Sequence, residues 1–276
     1  MTVTTNIYNI KNKSQEPKTS KTHPLNISWI IPPVLQGSQM PKEHSLHNYI
    51  EQNVKEKLES SSAPKGNVCL SSCPGKKIRL TRPVRGRASI DRDLELDLSR
   101  IQSFGIKMIV CCLDDYELAF LGVSWSKYEA AAAERSIDIY RLPMTDGGCP
   151  NSMEVVKKAI DAINNTVKEG SHVLVHCRGG VGRAGLVASC WLLENLFCQT
   201  AEKAISIVRE QRSAKAIETL KQADYVIRYS IAMRQRQGLQ NPKMAQRRPK
   251  LKKTDQRFST PSINTIAQLE YDIMKA

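Results

Sequence analysis

The sequence predicts an α/β protein in which a central, mostly parallel β-sheet carries helices on both faces. Short runs rich in apolar and β-branched residues, at residues 107–113, 137–142 and 173–175, have the length and composition of buried strands. Between them lie longer stretches whose apolar residues recur every three or four positions, as on one face of a helix. Such alternation is the pattern of parallel sheets that helices cover on two sides.

In chain order, the first segment is polar and lacks an apolar period, which predicts a disordered N-terminal tail over residues 1–23. A strand over residues 26–31 follows and is stopped by two prolines. A polar stretch over about 36–65 predicts an insertion, and the next strand covers residues 68–70. Helices are expected at about 91–105, 126–135, 184–197 and 215–233, with two more that begin at the capping residues Ser152 and Thr200.

Charge is unevenly distributed along the chain. The 276 residues include 41 Lys or Arg against 27 Asp or Glu, a formal net charge of +14. Much of the excess lies in residues 234–253. We therefore predict one folded domain over residues 24–233 and a basic C-terminal tail over 234–276, with a candidate short helix near its end. A basic tail of this kind is suited to contact with polyanions.

No run of 18 apolar residues occurs, so the sequence predicts no membrane span. The N-terminus also lacks the apolar centre of a signal peptide. We therefore expect a protein of the cytoplasm, the nucleus or both, whose eight cysteines are mostly reduced.

One stretch carries the chemistry: His-Cys-Arg-Gly-Gly-Val-Gly-Arg at residues 176–183. A strand leads into it and an apolar helix follows, so its backbone N–H groups converge at the positive end of the helix dipole. Glycines there let the backbone wrap around a tetrahedral dianion, and a helix N-terminus with nearby cations activates a thiol. We predict Cys177 as the nucleophile and Arg183 as a bidentate phosphate ligand. The other residues predicted for this phosphate loop are His176, Arg178, Gly179, Gly180, Val181 and Gly182.

Part of this stretch also allows a second interpretation, as a nucleotide-binding motif. Residues 180–185 read Gly-x-Gly-x-x-Gly, which is also a formal dinucleotide-binding fingerprint. That motif requires a second strand with an acidic residue about 20 residues further on. The sequence around Ile205 predicts a helix instead, so the anion-binding interpretation is favoured.

Thiolate attack on a phosphoester needs an acid that protonates the leaving oxygen and later activates water. Asp146 is the candidate, because it lies upstream in a loop between a strand and a helix, with glycines beside it and prolines on both sides. An ordinary turn aspartate is the alternative, since Asp-Gly is a common turn signal. The neighbouring Cys–Arg motif favours the acid.

The stretch at 176–183 resembles the signature of the cysteine-dependent protein phosphatases, the tyrosine and dual-specificity class. With further motifs, the sequence is similar to the kinase-associated phosphatase family, also called the cyclin-dependent kinase inhibitor 3 family. Those motifs are Asn26-Ile27-Ser28-Trp29, Asp146-Gly147-Gly148, Arg209-x-x-Arg212, Ala216-Ile217-x-Thr219 and Gln222.

This resemblance spans residues 26–231 apart from the insertion, and it implies the dual-specificity/tyrosine phosphatase fold with no metal or other cofactor. It implies removal of phosphate from phosphothreonine in a kinase activation segment, with dual specificity and a phosphocysteine intermediate. The partner it implies is a phosphorylated protein, with a cyclin-dependent kinase as the hypothesis.

Two positions stand out against that family. Ala184 replaces the hydroxyl residue that members usually carry after the signature arginine. Cys112, at the end of a predicted strand, matches the position where some relatives keep a second cysteine, so it is a candidate redox partner of Cys177.

Two other functions stay open. A phosphoinositide or other non-protein phosphatase is indicated by the extra cation Arg178 and by the basic tail. A kinase-binding module with weak activity is the second, although binding alone needs neither a thiolate nor an acid.

Overall fold

The computed structural model describes residues 16–32, 65–81 and 87–240. Its strands are β1 (Lys18–Thr19), β2 (Ser28–Trp29), β3 (Val68–Ser72), β4 (Lys77–Ile78), β5 (Ile90–Asp91), β6 (Ile106–Cys111), β7 (Asp138–Arg141) and β8 (His172–Cys177). The main sheet has the order β2-β3-β8-β6-β7, and a small second sheet has the order β1-β5-β4.

The main sheet is mixed, which corrects the prediction of a mostly parallel sheet. β3, β8, β6 and β7 are parallel, but the two-residue edge strand β2 pairs with β3 in the antiparallel sense. In the small sheet, β4 and β5 are also antiparallel. An apolar run identifies a buried strand but not its direction, because direction depends on the route by which the chain reaches its neighbour.

The helices are α1 (Leu94–Ser103), α2 (Asp115–Phe120), α3 (Trp125–Ala133), α4 (Met153–Lys168), α5 (Arg183–Glu194), α6 (Ala201–Gln211) and α7 (Leu220–Gln240). The side chains of Ser152 and Thr200 accept bonds from the N–H groups of Val155 and Lys203, so both predicted caps are confirmed. The sequence analysis assigned no element to α2.

α5 is the helix around which the domain is packed. Every residue from Arg183 to Leu193 is buried, and α4, α6, α7 and β8 all contact it. Burial on all sides explains why its sequence is apolar on most faces. In the described part of the chain, α5 is followed by α6 and α7 and by no further strand, so the dinucleotide-binding alternative is wrong.

Two predicted boundaries are also wrong. Lys18–Thr19 pairs in parallel with Ile90–Asp91, so residues 16–23 belong to the fold and not to a disordered tail. α7 continues to Gln240, beyond the predicted domain end at 233. A two-residue strand whose partner is remote in sequence is too short to show a period.

The remaining predicted segments lie largely outside the described residues. The insertion at about 36–65, apart from Lys65, lies outside the described residues, as do most of the N-terminal tail and the chain after 240. Within the described ranges, no helix combines the length and apolar character needed to cross a bilayer.

Candidate active site

The phosphate loop connects β8 to α5, at the carboxyl end of the central strand of the main sheet. Cys177 is the last residue of β8 and is only 3% exposed. Its Sγ accepts a hydrogen bond from the N–H of Gly180, with the two heavy atoms 3.2 Å apart. The loop therefore curls back over the sulfur, and its amide groups gather where a negative charge would sit.

Two cations, the buried Lys76 and the half-buried Arg212, support this loop from outside. Lys76 Nζ donates to the carbonyl of Arg178 (3.0 Å), and Arg212 donates to the carbonyls of Gly180 (2.9 Å) and Gly179 (3.1 Å). With the carbonyls held outward, the amide groups of the loop are free to turn inward. Burial lowers the pKa of both Lys76 and Arg212, and the nearby Cys177 opposes that shift. The sequence analysis missed Lys76.

Gly180 has a left-handed backbone with φ of 71°, and a Cβ added there would lie 2.0 Å from the carbonyl oxygen of Ser71. We predict that Gly180→Ala lowers the free energy of unfolding by about 2 kcal/mol or more, because φ strain and the clash with the backbone combine. Gly179→Ala is the matched control, since its Cβ would meet nothing closer than Val181 Cγ2 at 3.8 Å. Urea unfolding of both variants checks this. Equal stability would mean that the loop relaxes without cost.

Arg183 begins α5 and is held by a carboxylate that sequence reasoning missed. Its Nη1 and Nη2 donate to the two oxygens of Glu117 on α2, at 2.5 and 2.7 Å. Nη1 also donates to the carbonyl of Met144 (2.9 Å), and Nη2 donates to Asp146 Oδ1 (3.1 Å). Burial alone would lower the pKa of Arg183, but the bonds and charge of Glu117 raise it above the ordinary value. The guanidinium is therefore permanently charged and firmly oriented.

The position of Glu117 has a sequence signal. Asp114 caps α2 by accepting the N–H of Glu117, and an Asx residue followed three positions later by Glu is a helix-start pattern. That signal locates the short helix, but it does not reveal the partner of Glu117, which lies 66 residues further along the chain.

Asp146 lies at the mouth of the site, with its side chain 66% exposed. Besides Arg183, its carboxylate faces Arg178 Nη1 at 3.8 Å. The loop that carries it is held by Thr219, which donates to the carbonyl of Gly147 (2.9 Å), and by Gln222, which donates to that of Gly148 (3.2 Å). The structure thus brings Asp146 to the phosphate loop, and its role as the acid stays a prediction.

His176, Val181 and Gly182 have structural roles in the loop. His176 is fully buried, and its Nε2 lies 2.9 Å from the hydroxyl of Tyr128. Burial lowers the pKa of His176 to about 3, so the ring is neutral at physiological pH. Val181 and Gly182 complete the turn, and Gly182 is the N-cap of α5. Among the described residues, no group of three His, Cys, Asp or Glu side chains is arranged to hold a metal ion.

Cys112 lies beside the nucleophile. Cys111 is in register with His176, and the N–H of Cys112 donates to the carbonyl of His176 at 3.0 Å. Because residues at matching positions of neighbouring strands share a face, Cys112 and Cys177 face the same side of the sheet. Burial raises the pKa of the Cys112 thiol, and the charge of Cys177 raises it further. Cys112 is therefore not the sulfur that peroxide attacks first.

We predict a reversible Cys112–Cys177 disulfide under hydrogen peroxide. Peroxide oxidises the Cys177 thiolate to a sulfenic acid with loss of hydroxide, and the Cys112 sulfur then displaces water from it. Peptide mass mapping before and after dithiothreitol measures the bridge, with Cys112→Ser as the control. Detection of Cys177 only as sulfinic acid, or paired with another cysteine, would contradict the prediction.

Ala184 is fully buried directly after Arg183 and offers no side-chain donor to the sulfur. In the described part of the chain, the Gly180 amide is the group that donates a hydrogen bond to Cys177 Sγ. We predict that Ala184→Ser speeds breakdown of the phosphoenzyme about 10–100-fold, because a hydrogen bond to a charged group contributes roughly 1.5–3 kcal/mol. Burst kinetics on an aryl phosphate measure this, with a smaller burst and a higher kcat expected in the variant. Unchanged burst and kcat would mean that another donor already serves the sulfur.

The comparisons with known proteins agree with this geometry. The family model described as "Swiss Army Knife protein, DSP-PTPase phosphatase domain" matches residues 86–235, which is more than half of the chain. Cyclin-dependent kinase inhibitor 3 of Homo sapiens is 30% identical over 145 residues, which cover 50% of this chain and 63% of the relative. The protein of the same name from Rattus norvegicus has the same identity and coverage. The chain thus spans less than two thirds of the length of these curated relatives.

A solved structure of kinase associated phosphatase, with its catalytic-site cysteine replaced by serine, has a TM-score of 0.57 and 23% sequence identity. The likeness covers 80% of this chain and 98% of that chain. It confirms the predicted dual-specificity/tyrosine phosphatase fold, and the two relatives confirm the resemblance seen in the sequence.

Proposed function

We propose that this chain, which belongs to the DSP-PTPase phosphatase domain family, hydrolyses phosphothreonine and phosphotyrosine in proteins. The reaction passes through a phosphocysteine intermediate. The observation that carries the proposal is the position of Cys177 Sγ under the Gly180 amide, in a loop closed by Arg183 and faced by Asp146. A nucleophile, an anion site and a carboxylate therefore meet at one point, as phosphoester hydrolysis requires.

The first step transfers the phosphoryl group to the enzyme. The loop amides and Arg183 hold the dianion while Cys177 Sγ attacks phosphorus and the ester oxygen leaves. Protonated Asp146 donates its proton to that oxygen. In the second step, Asp146 accepts a proton from water, whose oxygen attacks phosphorus and releases the Cys177 thiolate and inorganic phosphate.

Arg183 constrains how substrate enters. All four of its terminal N–H groups already donate, to Glu117, Met144 and Asp146. A phosphate that uses a terminal N–H of Arg183 must therefore displace an existing partner. The exposed Asp146 is the partner that leaves most easily, because Glu117 is bidentate and mostly buried. Its departure frees the carboxylate for proton transfer.

Phosphate release from matched phosphothreonine and phosphotyrosine peptides tests the proposal. A phosphoinositide panel provides the comparison, because Arg178 adds a cation at the mouth of the loop and is 44% exposed. We expect the peptides to be the better substrates, since Asp146 already pairs with Arg178 and weakens its pull on a second phosphate. Preference for the phosphoinositides would replace a protein substrate by a lipid one.

A phosphorylated cyclin-dependent kinase is the specific substrate that we propose, supported by the similarity to cyclin-dependent kinase inhibitor 3. Such a substrate would place the protein in the cytoplasm or the nucleus. Phosphate release from the intact phosphorylated kinase, compared with its denatured form, is the test. Equal rates on both forms would mean that the folded kinase is not specifically recognised.

A further inference from the structure

We propose that Tyr116 and Phe120 on α2 form a docking surface for an apolar residue close to the phosphorylated residue of the substrate. This inference rests on the proposed phosphatase function and adds a sequence preference to it. Tyr116 is 82% exposed and Phe120 is 63% exposed. Positions four apart in a helix share a face, so the two rings form one aromatic surface. Two large aromatic rings that are this exposed and adjacent indicate a contact surface.

The helix that carries the aromatic surface contacts the phosphate loop at two points. The Arg178 guanidinium lies over the Phe120 ring, 5.7 Å from its centroid, within the range of a cation–π contact. Glu117, between the two aromatic residues in sequence, holds both terminal nitrogens of Arg183. The helix that displays the rings therefore also orients the arginine predicted to bind phosphate.

The position of the aromatic surface beside the phosphate loop identifies what binds there, namely a residue of the substrate peptide. Arg178 is the next residue of the loop after Cys177, and its guanidinium joins the phosphate loop to the Phe120 ring. An extended peptide advances about 3.3–3.6 Å per residue. Residues one to three positions from the phosphorylated one are therefore within reach of the Phe120 ring, where an aliphatic side chain would bury apolar area.

Charge favours a protein over a membrane as the partner. Asp114 and Asp115 are both exposed at the start of α2, and Asp115 is bonded to Arg141 (2.6 Å). Anionic lipid surfaces attract basic segments and repel acidic ones. Arg141 balances the charge of Asp115, so Asp114 is the acidic residue that adds negative charge beside the aromatic surface. The surface is therefore suited to an apolar residue with a basic neighbour.

The test measures binding, so that it does not depend on turnover. Phosphothreonine peptides carry either leucine or glycine at each of the three positions on either side of the phosphothreonine. Their dissociation constants are measured with the full chain carrying Cys177→Ser. We expect leucine to bind about tenfold more tightly than glycine at one or more positions, and Tyr116→Ala/Phe120→Ala to remove that difference. Leu96→Ala, an exposed apolar residue on α1 (43%), is the matched control and should keep it.

Each result decides the inference. No leucine preference, or a preference that survives Tyr116→Ala/Phe120→Ala, overturns it. Binding of phosphatidylserine vesicles that is lost in that variant, without any leucine preference, also overturns it and makes the surface a membrane contact. Failure of the unsubstituted protein to release phosphate from any peptide refutes the proposed function instead, and the leucine preference of the Cys177→Ser protein still decides whether the aromatic surface docks peptides.

Discussion

Cys177→Ser will abolish phosphate release while leaving phosphopeptide binding nearly intact. A serine hydroxyl is a far weaker nucleophile than a thiolate, so the covalent step is lost. The anion site stays, because contacts that do not involve the sulfur hold its cations in place. Lys76 and Arg212 donate to carbonyls of the loop, and Arg183 donates to Glu117. Steady-state phosphate release measures the loss of activity, and fluorescence polarisation of a labelled phosphopeptide measures binding.

Cys198→Ser is the matched control for this substitution. Cys198 is also buried, and it lies between α5 and α6, away from the phosphate loop. Its turnover should stay close to that of the unsubstituted protein. Residual turnover of Cys177→Ser above about one per cent of the original would contradict covalent catalysis by this cysteine.

Asp146→Asn will lower kcat on phosphopeptides about 10²–10⁴-fold, the usual contribution of a general acid. Asparagine keeps an oxygen that can accept from Arg183, so the loop position changes little while the transferable proton is lost. An aryl phosphate with an acidic leaving group should lose less activity, because its oxygen departs without protonation. Comparing the two substrates therefore separates proton transfer from a general structural defect.

Asp138→Asn is the control for this second substitution, because Asp138 lies exposed on β7 rather than in the acid loop. We expect its kinetics to be unaltered. An equal loss of activity by Asp146→Asn on both substrates would mean that Asp146 positions Arg183 and that another group is the acid.

Local sequence patterns predicted much of the fold. The capping residues Ser152 and Thr200 begin helices where expected, because a capping side chain and the N–H group that donates to it lie within one turn of each other. The predicted strands became β3, β6, β7 and β8. In β3, β6 and β8, near-continuous burial leaves a nearly continuous apolar run, whereas β7 is an edge strand that is only partly buried. Contacts between segments that are distant in sequence leave no such pattern, which is why the two-residue strands β1, β4 and β5 and the antiparallel direction of β2 were not predicted.

By itself, the sequence located the phosphate loop, because strand, glycines and helix start lie within the consecutive residues that carry Cys177 and Arg183. It also identified Asp146 as a candidate, since its neighbours are turn residues. Only the tertiary structure decided that Glu117 holds Arg183 and that Phe120 lies beside Arg178 of the loop. Such pairings depend on where a remote helix docks, and a helix pattern records which face is apolar but not which partner meets its polar face.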